Sequence, residues 1–319
     1  SAVSAEVIRD GSLGAGPAGV VPSGTDPNGT FATYLITPEL GQAQPEAAPR
    51  NLFHSFSEFD RTPGEIATFT GPASVANIFG RITRGTQSNI NGTVRSTIAG
   101  ANVFLLNPLG FVFGPDARLD VPGSFTASSA DAVRFDVGED FTTGAPVANG
   151  PLLSVEDPVA FGFTRATPGS IEIDRALPTL GFRSLSVRAG ETLALIGGDV
   201  RVAGSGVNVP TVIGGGSFAV ASVRGPAEVP GDVAAFEVDE LAPEQLGEVA
   251  FTHQAIFLLE GAGGGRIVVR GGQLVIDEQS IVATATLTDV DAPEVGIDVA
   301  VAGAFVVAEQ NTLVRTTSL

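Results

Sequence analysis

Asp116, Asp120, Asp131 and Asp136 lie close together in the chain, with Arg118 and Arg134 among them. Carboxylates paired with arginine on one flank of a β-rich scaffold can do acid–base work on polysaccharides, as hydrolases and lyases do. That idea rests on fold analogy, which is a weak guide to function. A second acidic group is Asp289, Asp291 and Glu294, with Asp298 nearby. Its oxygens could hold Ca²⁺, but EF-hand spacing and the Gly-Gly-x-Gly-x-Asp repeat are both missing, so a solvated acidic loop is the better reading. His54 sits among Phe53, Phe56 and Phe59, and His253 is remote from it, with no cysteine in the chain. A packed histidine is therefore expected and a transition-metal site is not. Gly214-Gly215-Gly216-Ser217-Phe218 lacks the lysine of a phosphate loop and the strand–Ser–helix setting of a nucleophile elbow. No cofactor is expected. Asn107-Pro108-Leu109-Gly110-Phe111 has a different chemistry, that of a tight turn. Asn leads it, Pro fixes φ, and Gly is free to take positive φ.

Such residues need a scaffold, and composition limits which one. Of 319 residues 43% are apolar, enough for a sizeable core, although Gly (41) and Pro (21) are plentiful. The formal net charge is −18 and all 17 basic residues are arginine. That balance argues against nucleic acid and anionic membranes as partners. Apolar runs are broken every few residues by Gly, Asp or Arg, so no lipid-spanning helix is predicted. Without cysteine no disulfide can lock the chain before it crosses a membrane. The absence of methionine and of a visible signal peptide fits a processed, exported chain.

Alternation of period 2 dominates, with turn residues every five to ten positions. Val103, Leu105, Phe111, Phe113, Leu119, Val121 and Phe125 mark short strands with no room between them for crossover helices. Short helices are predicted only around 243–248 and 128–133. The segment 265–279 aligns with 296–310 at an offset of 31, sharing a second Gly, an apolar residue two positions later and a Glu-Gln pair. Residues 192–202 give a third copy. Repeats of this length mean stacked units, and two or three short strands per copy are too few for a propeller blade, so a β-solenoid is predicted.

Asn51-Leu52-Phe53-His54-Ser55-Phe56-Ser57-Glu58-Phe59-Asp60, Asn77-Ile78-Phe79-Gly80-Arg81, Ser88-Asn89-Ile90-Asn91-Gly92 and Ala101 to Gly114 follow one another in order, after an earlier Asp10-Gly11-Ser12-Leu13-Gly14. Together they resemble the N-terminal secretion domain of filamentous haemagglutinin-like exoproteins, exported by two-partner secretion. The resemblance is dense over residues 6–135 and looser beyond. It implies that Asn107 to Phe111 is the family's secretion-associated turn. Leu109 stands where the family has Asn, and Phe111 where it has Ile; the family's Asn-Pro-Asn-Leu is not visible upstream. Asn89, Asn91 and Asn102 are expected to be turn or stacked-ladder asparagines.

Repeat and resemblance together predict an all-β, right-handed parallel β-helix with an N-terminal cap and flanking extra-helical hairpins. The cap is assigned to 1–40, core coils to 41–135, excursions to 136–184 and 225–264, and further coils to 185–224 and 265–319, all in one unit. The function implied is that of a non-enzymatic secretion domain at the head of a large adhesin. Its partner would be an outer-membrane β-barrel transporter with periplasmic recognition domains. The protein would reach the cell surface through the periplasm and meet a host-cell or glycan ligand through a further C-terminal region. A structural sheath protein and the polysaccharide enzyme are the alternatives.

Overall fold

The computed structural model describes residues 6–25, 32–45, 47–144, 153–175, 185–204, 207–208, 216–261, 265–286, 296–308 and 312–318. Among these the chain is all-β, apart from 3₁₀ turns at Pro38–Leu40, Val233–Ala235, Val238–Glu240 and Pro243–Gln245. The helix expected near 243–248 is thus a single 3₁₀ turn, and the one expected at 128–133 is absent. There the amide of Ser129 donates to Ile196 O and that of Asp131 to Gly162 O, so bonds to neighbouring strands replace the local bonds a helix needs. No helix among the described residues is long and apolar enough to cross a membrane.

The longest sheet runs in parallel through Asn51–Phe59, Asn77–Ile82, Asn102–Leu106, Phe125–Ser128, Thr192–Gly197, Gly216–Ser222, Gly265–Gly271 and Ile297–Val301. A second parallel sheet begins with Ser88–Ile90, Phe111–Phe113 and Ile171–Arg175 and ends with Phe305–Val307. A third side is formed by Ile66–Phe69, Thr93–Ser96 and Arg118–Asp120, while Ile256–Gly261, Ile281–Thr286 and Leu313–Ser318 make up a separate parallel sheet. From Asn77 to Asp120 the chain visits the three sides in strict rotation. The sheets are nevertheless mixed. Val7–Arg9 and Gln42–Gln44 pair antiparallel with the free edge of Asn51–Phe59, and Ser23–Thr25 pairs antiparallel with Ala32–Ile36. A separate antiparallel sheet joins Phe141–Thr142, Ala132–Phe135, Pro158–Phe163 and Ala227–Pro230. Two strands inside the segments set apart in the sequence, Ile171–Arg175 and Glu248–Thr252, pair in parallel with Val200–Gly204 on either side of it.

In-register pairing converts alternation into ladders. Leu52, Ile78, Val103, Phe125, Leu193, Phe218 and Ile267 lie opposite one another across seven strands, and each is 0% exposed. Burying side chains of this size contributes about 1.5–3 kcal/mol each. The opposite face starts with Phe53, Phe79 and Phe104, whose rings stack at 4.9 Å in successive rows. The antiparallel sheet covers that face with Val133, Phe135, Phe141, Phe161 and Phe163. The first rows are therefore buried on both sides, and their strands read as nearly continuous apolar runs.

The repeat offset needs correction in its first strand. Leu274 lies opposite Phe305, as the offset of 31 requires, but Ile267 lies opposite Ile297 and Val268 opposite Asp298. With side chains alternating, a one-residue slip would carry Asp298 to the apolar face. In the observed register it lies outside, where Arg270 Nη2 and Arg266 Nη2 reach it at 2.9 and 2.8 Å.

Candidate functional site

The 107–111 turn is built into the fold. Asn107 Nδ2 donates to Thr86 O at 2.9 Å and to Ser88 Oγ at 3.0 Å, and its Oδ1 accepts from Leu109 N at 3.0 Å. Its carbonyl closes the turn by accepting from Gly110 N at 2.7 Å. Gly110 has φ of 89°, and a Cβ there would stand 1.9 Å from Ser170 O. Only glycine meets both conditions. Phe111 is fully buried between Ser88 and Ile171 in the second sheet. Pro108 is buried as well, so the partly exposed Leu109 is the side chain of this motif that reaches the surface.

Three asparagines of the family phrases form a column at the strand starts. Asn77 Nδ2 donates to Asn51 Oδ1 and Asn102 Nδ2 to Asn77 Oδ1, each at 3.0 Å, and Asn102 Oδ1 accepts from Ser124 N at 2.9 Å. The loop before Pro158–Phe163 fastens onto this column. Asn51 Nδ2 donates to Ser154 O and Glu156 O, and Asn77 Nδ2 to Asp157 Oδ1 at 2.8 Å. Asn102 is thus the ladder residue the sequence suggests. The partnership of Asn51 and Asn77 went unread, although spacings of 26 and 25 residues mark it. Asn91 is a turn residue whose Oδ1 accepts from Asp116 N at 2.7 Å, while Asn89 is exposed. Gly92 is pressed to 2.5 Å of Glu65 O at its Cβ position.

Asp10-Gly11-Ser12-Leu13 packs against the same rows through polar contacts. Asp10 accepts from Ser55 Oγ at 2.6 Å, Ser12 N at 2.8 Å and Thr83 Oγ1 at 2.9 Å. Burial pushes its carboxyl up, but these hydrogen bonds outweigh it and hold the group below the usual range. Arg81 is buried, and burial lowers its affinity for a proton; its nitrogens donate to Ser55 Oγ, Ser12 Oγ and Thr142 O at 2.8, 3.0 and 2.6 Å. One step along the strand, His54 is fully buried with its ring beside Phe69 at 5.5 Å and Phe56 at 6.0 Å. Desolvation lowers its pKa to about 4, so it is neutral at physiological pH. Gly41 makes room for it: a Cβ there would be 2.6 Å from His54 Nδ1. Phe59 and Phe56 complete the apolar surroundings at a centroid distance of 5.2 Å.

The carboxylate–arginine group divides between sheets. Asp131 is bound by Arg165 Nε at 2.6 Å and by Thr164, and Arg134 is shared by Asp140 and Glu228 beside the antiparallel sheet. Burial raises the Asp131 pKa, yet these partners bring it below the ordinary value. Asp120 pairs with Arg95 at 2.7 Å on the third side, and Arg118 and Asp136 are exposed. Asp289, Asp291 and Glu294 lie outside the described residues; among those described, no group of three His, Cys, Asp or Glu is placed to hold a metal ion.

This all-β chain with its parallel ladders matches the TPS secretion domain model over residues 18–292. The chain belongs to that family, the N-terminal recognition modules of two-partner secretion exoproteins, which is not a known family of enzymes. Among solved structures it is similar to the HMW1 secretion domain from Haemophilus influenzae, with 17% identity and a TM-score of 0.43. That match covers 89% of this chain and 63% of the other. No curated protein matches the chain.

Proposed function

We propose that this chain is the secretion domain of an exported adhesin, recognised in the periplasm by an outer-membrane β-barrel transporter and folding outside the cell as a right-handed parallel β-helix. The observation that carries this reading is the family match across residues 18–292. The rotating visits to three parallel sides support the helix, each circuit being one coil. Each coil that folds adds an interface with its neighbour, so folding outside opposes back-sliding and can draw the chain outward.

The 107–111 turn enters this scheme through its accessibility. Asn107, Gly110 and Phe111 are buried once folded, so a transporter reads them in the unfolded chain and reads Leu109 at most in the folded one. The segment 1–40 is assigned as the cap, because strands within it lie against the free edges of Asn51–Phe59 and Ile66–Phe69. Co-expression with an outer-membrane β-barrel transporter of the two-partner type, followed by measurement of chain released to the medium, tests the function. Release independent of the transporter, together with no binding to its periplasmic domains, would refute it.

A further inference from the structure

The N-terminal end of the interior holds a cation where the ladders elsewhere hold aliphatic and aromatic groups. Arg61 follows Asn51–Phe59 and is tied by its backbone to the second sheet, donating to Asn89 O and accepting from Asn91 N, both at 2.8 Å. Its side chain is 0% exposed. The guanidinium carbon lies 3.9 Å from the centroid of the Tyr34 ring, and Nη1 is 3.8 Å from Glu65 Oε2, an oxygen that accepts from Thr62 N at 2.8 Å. Its nitrogens have no hydrogen-bond partner of ordinary geometry among the described residues, and burial disfavours its charge while Glu65, Tyr34 and Asp60 favour it.

Such a charge contributes little to stability by itself. Replacing a buried ion with a well-packed apolar group is often neutral or stabilising, whereas removing its partner is costly. The partner identifies what the charge controls. Tyr34 belongs to Ala32–Ile36, which pairs in parallel with Ile66–Phe69, opposite Ala67. Only when that strand is docked does the ring cover the guanidinium, at a distance suited to cation–π attraction. With the strand undocked, Arg61 must stay hydrated, and water then enters the end of the core.

We propose that Arg61 is a latch that makes closure of the first circuit of the fold conditional on docking of Ala32–Ile36. Partly docked states are disfavoured, and the two segments order together. The proposal concerns folding of the domain and stands or falls separately from transporter recognition.

The test is a double-mutant cycle in the 319-residue chain with Y34L, R61M and both, followed by denaturation and amide exchange. R61M is expected to leave the denaturation midpoint unchanged or raise it. Y34L should lower the midpoint and speed exchange about tenfold in Ser88–Ile90 as well as in Ala32–Ile36. In the double variant the acceleration in Ser88–Ile90 should fall to about threefold or less, because no charge then demands hydration. Equal effects of Y34L in both backgrounds would overturn the latch. So would a midpoint lowered as far by R61M as by Y34L. R61Q is the second neutral variant, and failure of both neutral variants to fold would also refute the proposal.

Discussion

Acidification should weaken this domain through His54 in a pH window above the one in which Asp10 acts. The folded imidazole has its pKa lowered from 6.5 to about 4 by desolvation. Between these values the unfolded chain binds a proton that the folded chain does not, so stability falls as pH falls through that range. The full shift corresponds to about 3 kcal/mol, of which about 2 kcal/mol is lost between pH 7 and pH 5. Asp10 acts lower: its folded pKa is below 3.8, so the stability it confers is present above that value and is lost only in stronger acid. Urea denaturation of the native chain and of His54→Leu at pH 7, 6 and 5 isolates the histidine, because other titrations cancel in the difference. The variant's stability should fall by about 2 kcal/mol less than the native chain's over that range. Parallel pH curves for the two proteins would refute the reasoning, as would an NMR titration placing His54 near 6.5 in the folded state.

Asn107→Ala should reduce export and cost the folded domain about 3 kcal/mol, because three side-chain hydrogen bonds go and Thr86 O and Ser88 Oγ lose a donor; Pro108→Ala should reduce export at a cost of only about 1 kcal/mol. If both variants are released at the native rate, the turn serves the fold alone. Asn77→Leu should cost about 2–4 kcal/mol and raise amide exchange at 154–157, where the column holds the loop; unchanged protection there would show that the loop docks by other contacts. Incubation with polygalacturonate or alginate should yield no product, and turnover abolished by Asp131→Ala or Arg134→Ala would restore the enzyme reading. Deleting residues 1–40 should lower the denaturation midpoint further than deleting a similar length from the other end, since it uncovers the edges of Asn51–Phe59 and Ile66–Phe69; the reverse order would overturn the cap assignment.

Much of this was written locally. Alternation of apolar residues foretold strands at Val103 and Leu105, and Asn107-Pro108-Leu109-Gly110 foretold the turn, because side-chain direction and φ preference are properties of a few adjacent residues. The Glu-Gln pair shared by the repeats was also visible. Its meaning came from the backbone: Glu278 and Gln279 take φ of 52° and 63°, and His253 and Gln254 in the preceding row take 55° and 62°. Both pairs turn a corner in the left-handed region, with Gln254 N donating to Glu278 O at 2.9 Å. What no local pattern could decide was register and coverage. An offset of 31 or 30 for the strand at Ile297 is settled only by which face must stay dry and where Asp298 finds its arginines. Phe53, Phe79 and Phe104 look like core residues whichever way they face; the antiparallel sheet brought from residues 132–163 and 227–230 makes their outward face a second core. Arg61 is charged and close to Glu65, which reads locally as a surface pair, yet it is buried because a strand some 25 residues earlier lays Tyr34 across it. Sequence determined the strands and turns; packing between distant segments decided which of their residues meet water.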